Sequence, residues 1–230
     1  MIADPRALAR SAKEPRTRVL AHLACAVTEA PWSLGPADLE QARAVGLLDE
    51  AILQVVLLAS LFGHLNRIAD AVGIELDYRV VHTPPAAVPA TPPYARPEPA
   101  QRPPPEGRRA LELALRPAAV EALAAWQRHA LLRDAPLDRR QRALIRGTVA
   151  ECLGDRSVIE TAAPASALDA ELVRAAEEST LTPWRLGAAT VARLRAAGLP
   201  DDAAVFDALA TAASCTAFSR IPVALAALGA

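Results

Sequence analysis

The chain has 230 residues, enough to bury a full core and to form one or two domains. Its 25 basic and 26 acidic residues leave a net charge of −1, so no basic field gathers phosphates, and nucleic acid is excluded as a partner on electrostatic grounds. Cys25, Cys152 and Cys215 lie far apart with no CxxC or CxxxC spacing, which indicates neither a disulfide framework nor a zinc knuckle and fits a reducing cytoplasm.

In chain order, the N-terminal stretch MIADPRALARSAKEPR is polar where a secretory signal needs an apolar run of about 7–15 residues. Residues 16–30 place Val19, Leu20, Leu23 and Val27 at helical spacing, and Pro36 marks the start of a short helix over 36–45. Asp49 reads as the N-cap of a long helix over about 50–72, whose hydrophobicity on all sides predicts a core position. Its apolar run, Ala51 to Gly63, falls short of the roughly 20 residues needed to span a bilayer, so no membrane span is expected. Residues 76–81, LDYRVV, form the one short β-like stretch. Ten prolines between Thr83 and Gly107 then predict an extended, polyproline-like linker. Helices are expected again over 117–133, 137–153, 167–180, 188–197 and 201–228, which makes the fold class all-α.

An internal repeat organises this pattern. Ala30-Pro31-Trp32-Ser33-Leu34-Gly35 corresponds to Thr182-Pro183-Trp184-Arg185-Leu186-Gly187 at an offset of 152, and Gly46-Leu47 then falls on Gly198-Leu199. After one residue of slippage, Asn66-Arg67-Ile68 matches Ser219-Arg220-Ile221. Residues 17–82 and about 169–230 are therefore read as copies of one unit.

The order of these features resembles the peroxidase-related branch of the alkylhydroperoxidase D-like / carboxymuconolactone decarboxylase-like family. The matching order is a proline-tryptophan turn, a short helix, a Gly-Leu step, an acidic helix start and a long helix carrying Asn66-Arg67-Ile68. Residues 117–165 are similar to that branch's N-terminal half, with Pro136-Leu137 between two helices. The resemblance implies an alkylhydroperoxidase D-like helical bundle in tandem: a partial module over 1–82, the linker over 83–107, and a second domain over 108–230. It also implies a homo-oligomer and a small-molecule ligand, and no cofactor.

Family peroxidases carry a CxxC, a following His and a preceding Glu, because a thiolate attacks the peroxide and a second thiol resolves the product. Here the matching positions fall near Ala143, Asp155 and Val158, no His follows, and Cys152 stands alone close by. The expectation is a degenerate member without thiol peroxidase activity, acting as a structural or small-molecule-binding protein. The alternative is an oxidoreductase using Cys152 with an external thiol, or a cofactor-free, decarboxylase-like acid/base enzyme.

For the latter, His64 and Arg67 share a helix face as a general base and a carboxylate clamp, with Asn66 and Asp70 as candidate binding residues. Arg67 and Arg220 recur in both copies, which favours a role tying helices together. Trp32 and Trp184 mark the repeat turns as hydrophobic plugs or pocket walls. No His or His/carboxylate pair stands at a metal-ligand spacing, and no phosphate-binding loop or nucleophile elbow is present.

Overall fold

A computed structural model describes residues 12–74, 117–158 and 163–229. The proline-rich linker, the LDYRVV stretch and His82 lie outside the described residues. Within them the chain forms eight α-helices and no strand: α1 (Pro15–Glu29), α2 (Pro36–Ala44), α3 (Asp49–Val72), α4 (Pro117–Leu131), α5 (Arg139–Leu153), α6 (Ala167–Leu181), α7 (Ala188–Ala196) and α8 (Asp202–Leu228). Short 3-10 turns at Pro31–Ser33 and Pro183–Arg185 join α1 to α2 and α6 to α7.

Local chemistry sets these boundaries. The Glu14 carboxylate accepts from the Arg16 and Thr17 amides ahead of Pro15, a first-turn proline with no amide to satisfy. Pro31 ends α1, since a residue before proline is pushed out of helical geometry. In α2 the Asp38 carboxylate reaches back to the Gly35 amide at 2.8 Å. Asp138 and Gln141 exchange hydrogen bonds across the first turn of α5. Gly73 and Gly154 close α3 and α5 at φ +67°, a conformation that disfavours residues with a Cβ.

One predicted cap is different. Asp49 is the first residue of α3, and its carboxylate is held by Arg43 through two 2.9 Å bonds. In α8 the cap is Asp201, which accepts from the Ala204 amide, while Asp202, the first residue of that helix, is held by Arg195 as Asp49 is by Arg43. The cap position of α3 is Leu48, whose side chain has no acceptor to offer.

The elements recur along the chain. A 15-residue helix, a three-residue 3-10 turn, a nine-residue helix and a long helix of 24 residues reappear as 15, three, nine and 27. Helix α1 starts at residue 15 and α6 at 167, the turns at 31 and 183, and α2 and α7 at 36 and 188. Even a side-chain detail repeats: Thr28 Oγ1 donates to the Ala24 carbonyl and Thr180 Oγ1 to the Ala176 carbonyl.

Two hydrophobic cores result. One is built by α5, α6, α7 and the first half of α8, with Ile145, Val149, Leu172, Leu194 and Leu209 among its residues. The other joins α1, α2 and the first half of α3 to Ile221, Leu225 and Leu228 at the end of α8. Helix α8 thus runs through both cores. Helix α3 does not fill the all-round core position its composition predicts: Leu58, Leu61, Phe62, Leu65 and Val72 are exposed. By length and composition both long helices could cross a membrane, but 89% of the apolar window in α8 is buried within the fold, against 33% in α3.

Candidate functional site

The residues singled out around His64 are distributed over two faces of α3. His64 turns inward and is only 8% exposed. Its ring packs edge-on against Trp126 of α4 at 4.8 Å, and Trp126 packs edge-on against Phe218 of α8 at 4.7 Å. The ring also hydrogen-bonds the Ala213 carbonyl. Burial lowers the His64 pKa from its ordinary value; the Ala213 bond works the other way, and the nearby Arg67 charge adds to the lowering. At neutral pH it is therefore a neutral imidazole whose Nδ1 has no protein partner. Two other enclosed atoms share that condition, Ser60 Oγ one helical turn earlier and Ser179 Oγ on α6.

Arg67 is buried as well, but it is committed to backbone. Its Nε donates to the Ser179 carbonyl at 2.7 Å and its Nη1 to the Gly63 carbonyl at 2.8 Å. Gly63 makes room for that fold-back, because a Cβ there would sit 3.0 Å from the guanidinium. Arg220 does the reciprocal thing: Nε donates to the Thr28 carbonyl, Nη1 to that of Thr216 and Nη2 to that of Thr180.

The acceptors Thr28, Ser179 and Thr180 lie in the last turns of α1 and α6, where carbonyls lack helical partners and the helix dipole is negative. This explains how two cations sit in the interior held by carbonyl oxygens. Burial lowers Arg67 to about 10 and holds Arg220 well below its ordinary value, the latter also through repulsion by Arg67. Arg67 remains charged at pH 7 and is not presented to a substrate.

Asn66 and Asp70 are exposed. Asn66 lines an open groove of about 410 Å³ between α1 and α3, whose walls include Leu20, Ala24, Val55, Leu58 and Phe62. The groove is apolar apart from Asn66 and Thr28 at one end. His64 is not part of its wall, so the base candidate and this groove are separate.

Cys152 and Cys215 are poorly placed for thiol chemistry. Cys152 is 1% exposed in the last turn of α5, within the electrostatic reach of Arg220. Burial pushes the Cys215 thiol up to about 12, the opposite of the thiolate stabilisation that peroxide attack requires. Among the described residues no group of three or more His, Cys, Asp or Glu side chains is arranged to hold a metal ion. The two tryptophans also differ: Trp32 packs against the core of α5 to α8, whereas Trp184 is 43% exposed. The plug role therefore describes Trp32 alone.

The most elaborate polar constellation was not among the sequence candidates. Arg142, fully buried on α5, donates to both oxygens of Asp207 on α8, at 2.5 and 3.4 Å, and to Thr211. Its remaining donors take the Ala130, Arg133 and Ala135 carbonyls, while Arg133 adds a second ion pair to Asp207. Every group faces another protein group, so the arrangement clamps α5 onto α8. The sequence signal was an acidic residue, Asp207, beyond the first turn of an apolar helix. Trp126 gave no signal, because aromatic side chains on amphipathic helices are ordinarily core.

No family model, no curated protein and no solved structure matches this chain.

Proposed function

We propose that this protein is a degenerate member of the alkylhydroperoxidase D-like / carboxymuconolactone decarboxylase-like family, built from two fused copies of one helical unit and acting as a non-catalytic structural protein. The observation that carries this reading is that the two groups able to perform the family's chemistry are enclosed: His64 is 8% and Cys152 1% exposed. A thiol peroxidase needs an accessible thiolate and a resolving thiol. An acid/base enzyme needs its base within reach of a bound substrate.

The two-unit reading is supported by the recurring helix bounds and by the reciprocal arginines, each tying its own long helix to the other unit's first helix. Duplicated residues that bond carbonyls act in packing, and fold resemblance alone does not bring activity with it.

The test is peroxide consumption by the purified chain with a dithiol reductant, using hydrogen peroxide and an organic hydroperoxide, beside Cys152→Ser. No turnover above buffer is expected from either protein. Turnover that vanishes in Cys152→Ser overturns the non-redox reading and restores a one-cysteine peroxidase.

A further inference from the structure

The α1/α3 groove has a counterpart whose occupant is visible. With the offset of 152 in the first helix of each unit and 153 in the long helix, Leu20, Ala24 and Thr28 fall on Leu172, Ala176 and Thr180, which are identical residues. Leu58 and Phe62 fall on Thr211 and Cys215. All five counterparts in the second unit are buried, because α5 lies across α6 and α8 and inserts Ile145, Val149 and Leu153 into their shared core. These three residues are spaced at i, i+4 and i+8, the seam of one helix laid in a groove. In the first unit no helix among the described residues fills the same groove. Its own geometry therefore specifies a helix with an apolar stripe as the filler.

Such a stripe is exposed on the rim of the groove itself. Leu58, Leu61, Phe62 and Leu65 follow the i, i+3, i+4, i+7 pattern on α3 and are 40–59% exposed. The large exposed apolar residues beyond the first unit, Val120, Leu132, Trp184 and Phe206, lie on different elements. Residues 51–66 of α3 contain no Asp, Glu, Lys or Arg, so two such helices can meet without juxtaposing like charges. A surface that is both groove and ridge is self-complementary, the requirement for a two-fold interface.

We infer that the α1/α3 groove is an interface between two copies of this chain, in which α3 of each copy supplies the helix that α5 supplies internally to the second unit. The inference rests on the two-unit reading above. Contiguous apolar patches of this kind on a folded surface mark interaction sites.

The experiment is sedimentation equilibrium of the full chain at micromolar concentrations, with Leu58→Glu/Phe62→Glu as the disrupting variant and Leu132→Glu/Phe206→Glu as a control elsewhere on the surface. The wild type and the control are expected at twice the chain mass of 24.2 kDa, and the disrupting variant at 24.2 kDa with unchanged helical circular dichroism. If that variant loses helicity, Leu58→Ser/Phe62→Ser gives the same readout with a milder change. A monomeric wild type overturns the inference, as does a dimer indifferent to both groove variants. A wild-type monomer that floats with phosphatidylcholine vesicles overturns it in favour of a bilayer as the cover. Peroxide turnover does not bear on the dimer, so the two readings fail separately.

Discussion

The two long helices, α3 and α8, occupy corresponding places in the chain, and each carries an arginine that reaches the other half. Yet α8 is buried along nearly its whole length, and α3 exposes four large apolar side chains in one stripe. Both helices are strongly apolar, so composition does not explain the difference. Neighbours do. The α4–α5 hairpin covers α8, with Arg142 clamped on Asp207, while the residue on α3 that corresponds to Asp207 is Gln54, which is exposed among the described residues. Burial of an apolar helix is a property of the helices available to pack on it.

Removing the clamp should produce the largest effect. Asp207→Asn leaves Arg142 as an uncompensated buried charge and is expected to cost about 3–5 kcal/mol. Gln54→Ala, at the corresponding site on α3, should change stability by less than about 0.5 kcal/mol. Urea denaturation of both variants measures the contrast. Equal losses would show that α3 carries a cover of comparable strength and would break the comparison.

The arginine pair gives a smaller and finer contrast. Arg220 donates to three carbonyls and Arg67 to two, and hydrogen bonds to charged groups contribute about 1.5–3 kcal/mol each at most. Arg220→Ala is expected to destabilise by about 2–4 kcal/mol, and Arg67→Ala by about 1–2 kcal/mol less. A reversed order, read from denaturant midpoints, would mean that burying the second cation costs more than its carbonyl contacts return.

Much of this architecture was legible in the sequence. Helix existence followed from apolar spacing, and Pro36 marked the start of α2 locally through its missing amide. The recurring helix lengths were foreshadowed by Trp32 and Trp184, two of only three tryptophans, which stand 152 residues apart, and by Arg67 and Arg220, which stand 153 apart. The acceptors of those arginines were not legible, since every residue carries a carbonyl and only the fold selects Ser179 and Thr28. The exposure of α3 was hidden for a related reason: a helix apolar on all sides looks the same in sequence whether one or two layers cover it. The site failed differently. His64 and Arg67 do share a helix and an inward direction, as their spacing predicts, but spacing cannot show that Trp126 packs on one and carbonyls hold the other.

The smallest predicted effect concerns His64, which has no titrating counterpart on α8, where Ala217 stands at the same position. Burial holds the folded-state pKa of His64 below the ordinary value of about 6.5, so the unfolded chain binds more protons than the folded one as pH falls. The stabilisation is therefore fully present above about pH 6.5 and is lost as pH drops through that value towards the folded-state pKa. Unfolding free energy of the wild type should decline between about pH 7 and 5, and His64→Gln, which cannot titrate but keeps a donor for the Ala213 carbonyl, should flatten that decline. Identical slopes in the two proteins would show that the imidazole is solvated in the folded state, and the enclosure that argues against catalysis at His64 would then have to be abandoned.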